Sequence, residues 1–292
     1  MTLRSITKRV LLPENNQGQG FTAAMLAPDN GNGFDLDPFI NLTDFQMPRA
    51  YFPPHPHAGF SVMTYMFEDS AGAFINRDSF GDHTRLEPGS LLWTQAGRGI
   101  QHEEIPEVEG TPCHGLQMWV NLANADKLAP PAVYYVAAAD VPEHRTPAGS
   151  RVRVLVGSAQ GLRAPFQPLS TITLLDVQLL PNDSYRHRVA EGHRAFAMVI
   201  GGAGTAGPEA VPLLRHAAVA FDAAGDEALV QAGPEGLQLL LGIGLPLREP
   251  VVFGGPFVAA SPAELHQTKL RYGRGEMGTL EPSPVFLRRP GS

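Results

Sequence analysis

The chain has 292 residues, 43% hydrophobic and 17% charged, with a net charge of −7. That is enough apolar material for two ordinary domains or one large β domain, and the acidic balance argues against direct DNA or RNA binding, which needs clustered Lys and Arg. Cys113 is the single cysteine, so no intrachain disulfide can form; with no signal-like start and no apolar run near the roughly 18 residues of a membrane span, a cytoplasmic protein without membrane association is expected.

The 31 glycines and 27 prolines punctuate short apolar runs along the whole chain, a pattern of many strands joined by turns. In chain order the candidate strands are SVMTYMF (61–67), SLLWT (90–94), GLQMWVN (115–121) and RVRVLVG (151–157). TITLLDVQLL (171–180), RAFAMVI (194–200), AAVAF (217–221) and GLQLLLGIG (236–244) come next. Spacings of roughly ten to twenty residues indicate a sandwich or barrel rather than βαβ units. Helix is scarce. The clearest candidate is SPAELHQTKLR (261–271), with Ser261 as N-cap, Pro262 in the first turn and Glu264 completing a capping box. From Gly273 onward the chain reads as an extended or mobile tail.

A faint internal repeat runs through this pattern. HGLQMW (114–119) echoes in EGLQLL (235–240), and HAGFSVMTYMF (57–67) more loosely in AEGHRAFAMVI (190–200). Two copies of one β unit are expected, with a boundary near residues 128–147.

PPHPHAG (53–59) and GRGIQHEEIP (97–106) carry the chemistry. Residues two apart on a strand share a face. His55 and His57 would therefore aim two imidazoles at one point, and His102 and Glu104 would add an imidazole and a carboxylate. Facing each other inside a barrel, they would make a three-His, one-Glu site suited to Fe, Mn, Co, Ni, Cu or Zn, with positions left open on an octahedral ion. Either pair alone is weak, since H-x-H is common by chance and Glu103 with Glu104 could be a solvated acidic pair. The repeat offers an internal control: its offsets place Arg188, Ala190, Ala223 and Gly225 at the four positions, so one metal site, in the first half, is expected.

Other signals are bland. GAGTAG (202–207) reads as a hairpin turn, because Pro208 and EAVPLL open no helix for a dinucleotide site. His83 and His114 read as hydrogen-bonded core or loop histidines, Trp93 and Trp119 as core, and Cys113 as packed rather than reactive.

FPPHPHAGFSVMTYMFE (52–68), RDSFGDHTRLEPGSLLWTQAGRGIQHEEIP (77–106), HGLQMWVNL (114–122) and GLPLREPVVFGGPFV (244–258) together resemble the pirin family of the cupin superfamily, over roughly residues 35 to 270. The resemblance implies an all-β bicupin: two antiparallel β-sandwich or barrel (jelly-roll) domains packed face to face, with few short helices. The expected domains are 1–137, with the metal site, and 138–292, without one and ending in a short helix and an extended tail. The family's ligands carry over onto His55, His57, His102 and Glu104, holding one divalent ion per chain, Fe(II) before Cu, Mn, Co, Ni or Zn. Two departures stand out. No carboxylate comes after H-x-H before Glu68, so Glu104 takes that role; and Asn76 stands where many pirins have a His that would shape the pocket mouth or a partner surface.

The resemblance implies one of two functions. The first is quercetin 2,3-dioxygenase-type cleavage of a flavonol-like aromatic substrate with O2 and release of CO, Glu104 taking the substrate proton as catalytic base. The second is a non-enzymatic, metal- or redox-sensing regulator that binds a transcription factor or metabolic enzyme. A monomer is expected.

Overall fold

Apolar alternation folds the chain into antiparallel strands, in a computed structural model that describes residues 1–28 and 34–287. The first half holds β1 (Ile6–Leu11), β2 (Glu14–Gly18), β3 (Phe21–Leu26), β4 (Phe39–Met47), β5 (His55–His57), β6 (Phe60–Met66), β7 (Phe74–Asp78), β8 (His83–Leu86), β9 (Leu91–Gln95), β10 (Ile100–Pro106), β11 (Cys113–Asn121) and β12 (Ala132–Val136). The second holds β13 (Glu143–Arg145), β14 (Arg151–Val156), β15 (Ser158–Ala159), β16 (Leu162–Arg163), β17 (Ile172–Leu179), β18 (Ser184–Arg188), β19 (Arg194–Ala206), β20 (Val211–Leu214), β21 (Ala217–Phe221), β22 (Glu227–Gly244), β23 (Val252–Phe253) and β24 (Val258–Ala259). Helices α1 (Pro262–Gly273) and α2 (Pro284–Leu287) complete it.

The chain divides into two units that are discontinuous in sequence, unlike the contiguous division expected at 137/138. The first unit comprises residues 15–23, 42–139 and the chain from Arg248 onward; the second comprises 1–14, 24–41 and 140–247. Pairing explains the exchange of ends: β1 adds to β21 at the edge of the second unit's sheet, while Met277, beyond α1, is fully buried against Ala58 and Phe257 of the first.

In the first unit a seven-stranded sheet has the order β12-β9-β6-β11-β4-β3-β2, and a four-stranded sheet has the order β5-β10-β7-β8. The second unit's sheet runs β1-β21-β19-β22-β17-β14-β13, with β18 on β22 and β20 on β19. Strands β9-β6-β11-β4-β3-β2 and β21-β19-β22-β17-β14-β13 occur in the same chain order and the same spatial order, so the repeat is a duplication of topology. β18 lies on the start of β22 as β5 lies on β10.

The structure corrects several local expectations. GAGTAG is strand up to Ala206, with one register shift just before it (Val199/Gly201) and one within it (Gly202/Gly204), and the reversal, at 207–210, begins only at its last glycine. Strands β1 to β4 have no counterpart among the candidate strands; β2 (ENNQG) is polar and wholly exposed, so no apolar alternation marks it. Helix α1 is capped as expected by Ser261, whose side chain accepts from the Glu264 N–H. The Glu264 carboxylate, however, accepts from the Ala260 N–H at 3.1 Å, one residue before the box position. The tail, expected to be extended or mobile, is tied to the first unit by hydrogen bonds and burial from Met277 to Ser283; residues 288–292 lie outside the described residues.

Candidate metal centre

β5 is an edge strand, which is why Pro56 is tolerated between its two histidines: its missing N–H faces no further strand. β5 pairs antiparallel with β10, His55 opposite His102 and His57 opposite Ile100. The pleat then puts His55, His57, His102 and Glu104 on one face. Gly59 ends the segment at φ +87°, and a Cβ there would lie 1.8 Å from the Val258 carbonyl oxygen. Its N–H donates to the Gly97 carbonyl (2.8 Å), and its carbonyl accepts from the buried Lys127 ammonium (3.0 Å).

The three imidazoles converge. Ring centroids are 4.7 to 4.9 Å apart, and one ligand atom from each lies within 4.8 Å of the others. Glu104 is on the same face but outside that group. His55 is pushed down to about 4 by burial first and then by His102, against the Pro53 carbonyl and Glu104. Burial pushes His102 down to about 4, and burial with the two neighbouring rings pushes His57 well below its usual range. All three are therefore neutral at pH 7, the form a metal requires.

Hydrogen bonds select the free nitrogens. His55 Nδ1 donates to the Pro53 carbonyl at 2.9 Å, and His102 Nδ1 to Asn76 Oδ1 at 3.2 Å, leaving each Nε2 as the lone pair. His102 Nε2, both ring nitrogens of His57 and Glu104 Oε1 are buried with no partner in hydrogen-bonding geometry. The Pro256 carbonyl approaches His57 closely enough to favour its protonated form, but not in that geometry. Orphaned polar atoms cost stability unless something pairs them. One His57 nitrogen carries the proton of the neutral ring; the other, with His102 Nε2 and Glu104 Oε1, is an unpaired acceptor, and three such acceptors together fit a cation.

Three neighbours take roles around the site that the sequence did not give them. Asn76, on β7 opposite Glu104, is fully buried behind His102, so the position where many pirins have a His lies neither at a pocket mouth nor on a surface here. Gln117 Nε2 donates to Glu104 Oε2 at 3.1 Å, and Trp119 Nε1 donates to Gln117 Oε1 at 3.3 Å. This relay occupies Oε2, and burial raises the Glu104 pKa against the nearby Thr64 hydroxyl, His55 and Gln117. Trp119, expected in the core, lines the cavity with its ring 5.4 Å from His57; Trp93 is fully buried. The GLQ echo at 115–117 was the available signal for Gln117.

The cavity above the histidines measures about 290 Å³, with Phe45, Phe52, Phe74 and Trp119 among its walls and, among the described residues, no Lys or Arg. A second cavity of about 270 Å³, in the second unit, is walled by Arg163, Phe166, Ser170 and His193 and includes no such histidine group. His114 stands apart from the cluster, between Asp44 (2.9 Å) and Asp69 (2.7 Å), and His83 is exposed on β8. Cys113 is buried, and burial with Glu107 pushes its thiol up to about 11.

Among the described residues, the second unit does not repeat the cluster. The offsets named Arg188, Ala190, Ala223 and Gly225, but loops of different length make a fixed offset slip. The register sets His187 opposite Ala228 and Tyr185 opposite Val230, all four buried. Of those four positions one is a histidine and none is a carboxylate.

The Pirin family model matches residues 28–120 and the Pirin C-terminal cupin domain model residues 174–278. Pirin-like protein 2 of Arabidopsis thaliana is 34% identical over 83% of this chain and 76% of its own length. The Pirin of Homo sapiens is 32% identical over 94% of each chain. A solved quercetin 2,3-dioxygenase from Acinetobacter baumannii superposes with a TM-score of 0.86 at 25% identity, covering 96% of this chain and all of its own. With two cupin domains, an inward-facing histidine cluster in the first and relatives aligned along nearly its whole length, the chain belongs to the pirin family.

Proposed function

We propose that the protein is a metal-dependent dioxygenase of the quercetin 2,3-dioxygenase type, cleaving a flavonol with O2 and releasing CO. One divalent ion, Fe(II) by preference, would be held by His55, His57, His102 and Glu104. The observation that carries this reading is the meeting of three neutral imidazoles, with unpaired buried nitrogens on His57 and His102, beneath an aromatic-walled cavity. The A. baumannii dioxygenase of the same fold supports it.

The ion would supply Lewis acidity toward a bound hydroxyl and a redox-active centre for dioxygen. The chain's own residues supply the rest. Glu104, with its raised pKa, receives the proton of the flavonol 3-hydroxyl on whichever oxygen it does not give to the ion, while Gln117 donates to Oε2 and fixes the carboxylate's orientation. That role requires Glu104 to bind the ion through one oxygen only. Phe45, Phe74 and Trp119 exclude water and offer flat faces to an aromatic ring. With no cation on the walls, a phosphorylated or carboxylated substrate would find no counter-charge.

The test is quercetin-dependent oxygen uptake and CO release by anaerobically Fe(II)-loaded protein. Glu104→Gln should lower turnover by roughly 10²–10⁴-fold, and His57→Ala should lose the metal. Metal binding without turnover, whatever the ion, would sink the dioxygenase reading and leave a metal-responsive regulator of a protein partner.

A further inference from the structure

β10 has two working faces. Its inward residues are His102 and Glu104; Gln101 and Glu103 alternate with them and point the other way. The outward pair grips the C-terminal tail. Gln101 Nε2 donates to the Gly278 carbonyl, and Glu103, fully buried, accepts from the Ser283 N–H at 3.1 Å. Arg77, on neighbouring β7, pairs with Glu103 and donates to the Glu281 carbonyl at 2.8 Å. Ser79 adds a bond to the Met277 carbonyl at 2.8 Å, while its hydroxyl accepts from the Gln101 N–H at 3.1 Å. Met277 itself is fully buried, and a Cβ on Gly99 would lie 2.4 Å from its Cγ.

We infer that residues 277–283 form a positioning strap that holds the outer face of β10, and so fixes His102 and Glu104 for metal binding. The inference rests on the proposed metal site. A strand held on both faces cannot twist or slip, whereas β5, its neighbour on one side, has only three residues and is a weak guide. The sequence separation is large: Ser283 meets Glu103 across 180 residues. Supporting groups of this kind, one shell outside the ligands, are worth about 10–100-fold in metal affinity.

The lesion that tests this lies on the strap. Gly278 has φ +76°, and a Cβ there would lie 2.7 Å from the Ser79 Cβ, so Gly278→Val should lift the strap without altering a barrel residue. Co(II) binding to the full chain is measured by titration, together with the visible spectrum of the bound ion, for wild type, Gly278→Val and His57→Ala. Val154→Ala, a buried core change in the second unit, controls for general loss of stability at matched midpoint. The expected result is a roughly 10–100-fold weaker Co(II) affinity and an altered spectrum for Gly278→Val, with the control unchanged in both. Wild-type affinity and spectrum for Gly278→Val, while His57→Ala loses the metal, would overturn the strap. Equal weakening in Gly278→Val and the control would also overturn it, by reducing the effect to stability. Retention of metal by His57→Ala would instead overturn the site itself.

Discussion

Asn76 shows how one buried amide can govern a ligand. Its Oδ1 accepts from His102 Nδ1, which sets the tautomer and leaves Nε2 toward the cluster. The residue type is a short acceptor that cannot itself replace the ligand. In Asn76→Ala, His102 Nδ1 loses its acceptor inside the protein. Metal affinity should then fall by about 10–100-fold, read by calorimetric titration, and an unchanged affinity would mean that Asn76 only fills space. Sequence alone marked Asn76 as a departure from its family, but not its place: the contact crosses 26 residues and depends on the pairing of β7 with β10. The Trp119–Gln117–Glu104 relay was equally illegible, since it joins strands of different sheets.

The element that carries the first two histidines is short, and its geometry is imposed by the glycine two residues beyond it. Gly59 takes a left-handed conformation and passes so near Val258 that no side chain fits, while the Val258 N–H donates back to the Ala58 carbonyl at 2.9 Å. Gly59→Ala combines backbone strain with a clash against main chain and should cost about 2–4 kcal/mol in denaturant unfolding. Gly81 offers the comparison: its φ is +92°, but a Cβ there would meet nothing within 4 Å. Gly81→Ala should cost only the strain, roughly 1–2 kcal/mol. Equal losses for the two would show that the close approach at Gly59 is relieved by movement of the 257–258 segment.

Across the whole molecule, the clustered imidazoles couple folding to pH. His102 falls from 6.5 to about 4 on folding. Between those values the unfolded chain takes up a proton that the folded chain refuses, so stability is present above about 6.5 and is lost as pH falls toward 4. His114 works in the opposite sense. Burial opposes its charge, but the hydrogen bond and charge of Asp44, with Asp69, raise its pKa, so its contribution is present below 6.5 and lost as pH rises through the raised value. In chelator-treated protein, His102→Leu removes the first effect, together with the push that His102 exerts on His55 and His57, and leaves that of His114 in place. Its stability relative to wild type should improve by about 2 kcal/mol on going from pH 7.5 to pH 5, measured by denaturant midpoints at each pH. No change in that difference would mean that His102 titrates near its ordinary value.

The pattern of turns and alternating runs determined an all-β chain with a repeated unit, because strand periodicity is local and survives in any tertiary setting. The same period of two placed His55 beside His57 and His102 beside Glu104, each pair on one face. Tertiary structure decided what local spacing cannot carry. It brought β5 against β10, put Asn76 behind His102, and turned Gln117 toward Glu104. It also gave the chain's two ends to opposite units and drew the tail across the back of the ligand strand. Those contacts join residues tens to hundreds of positions apart, and their partners are chosen by burial and pairing in three dimensions rather than by neighbours along the chain.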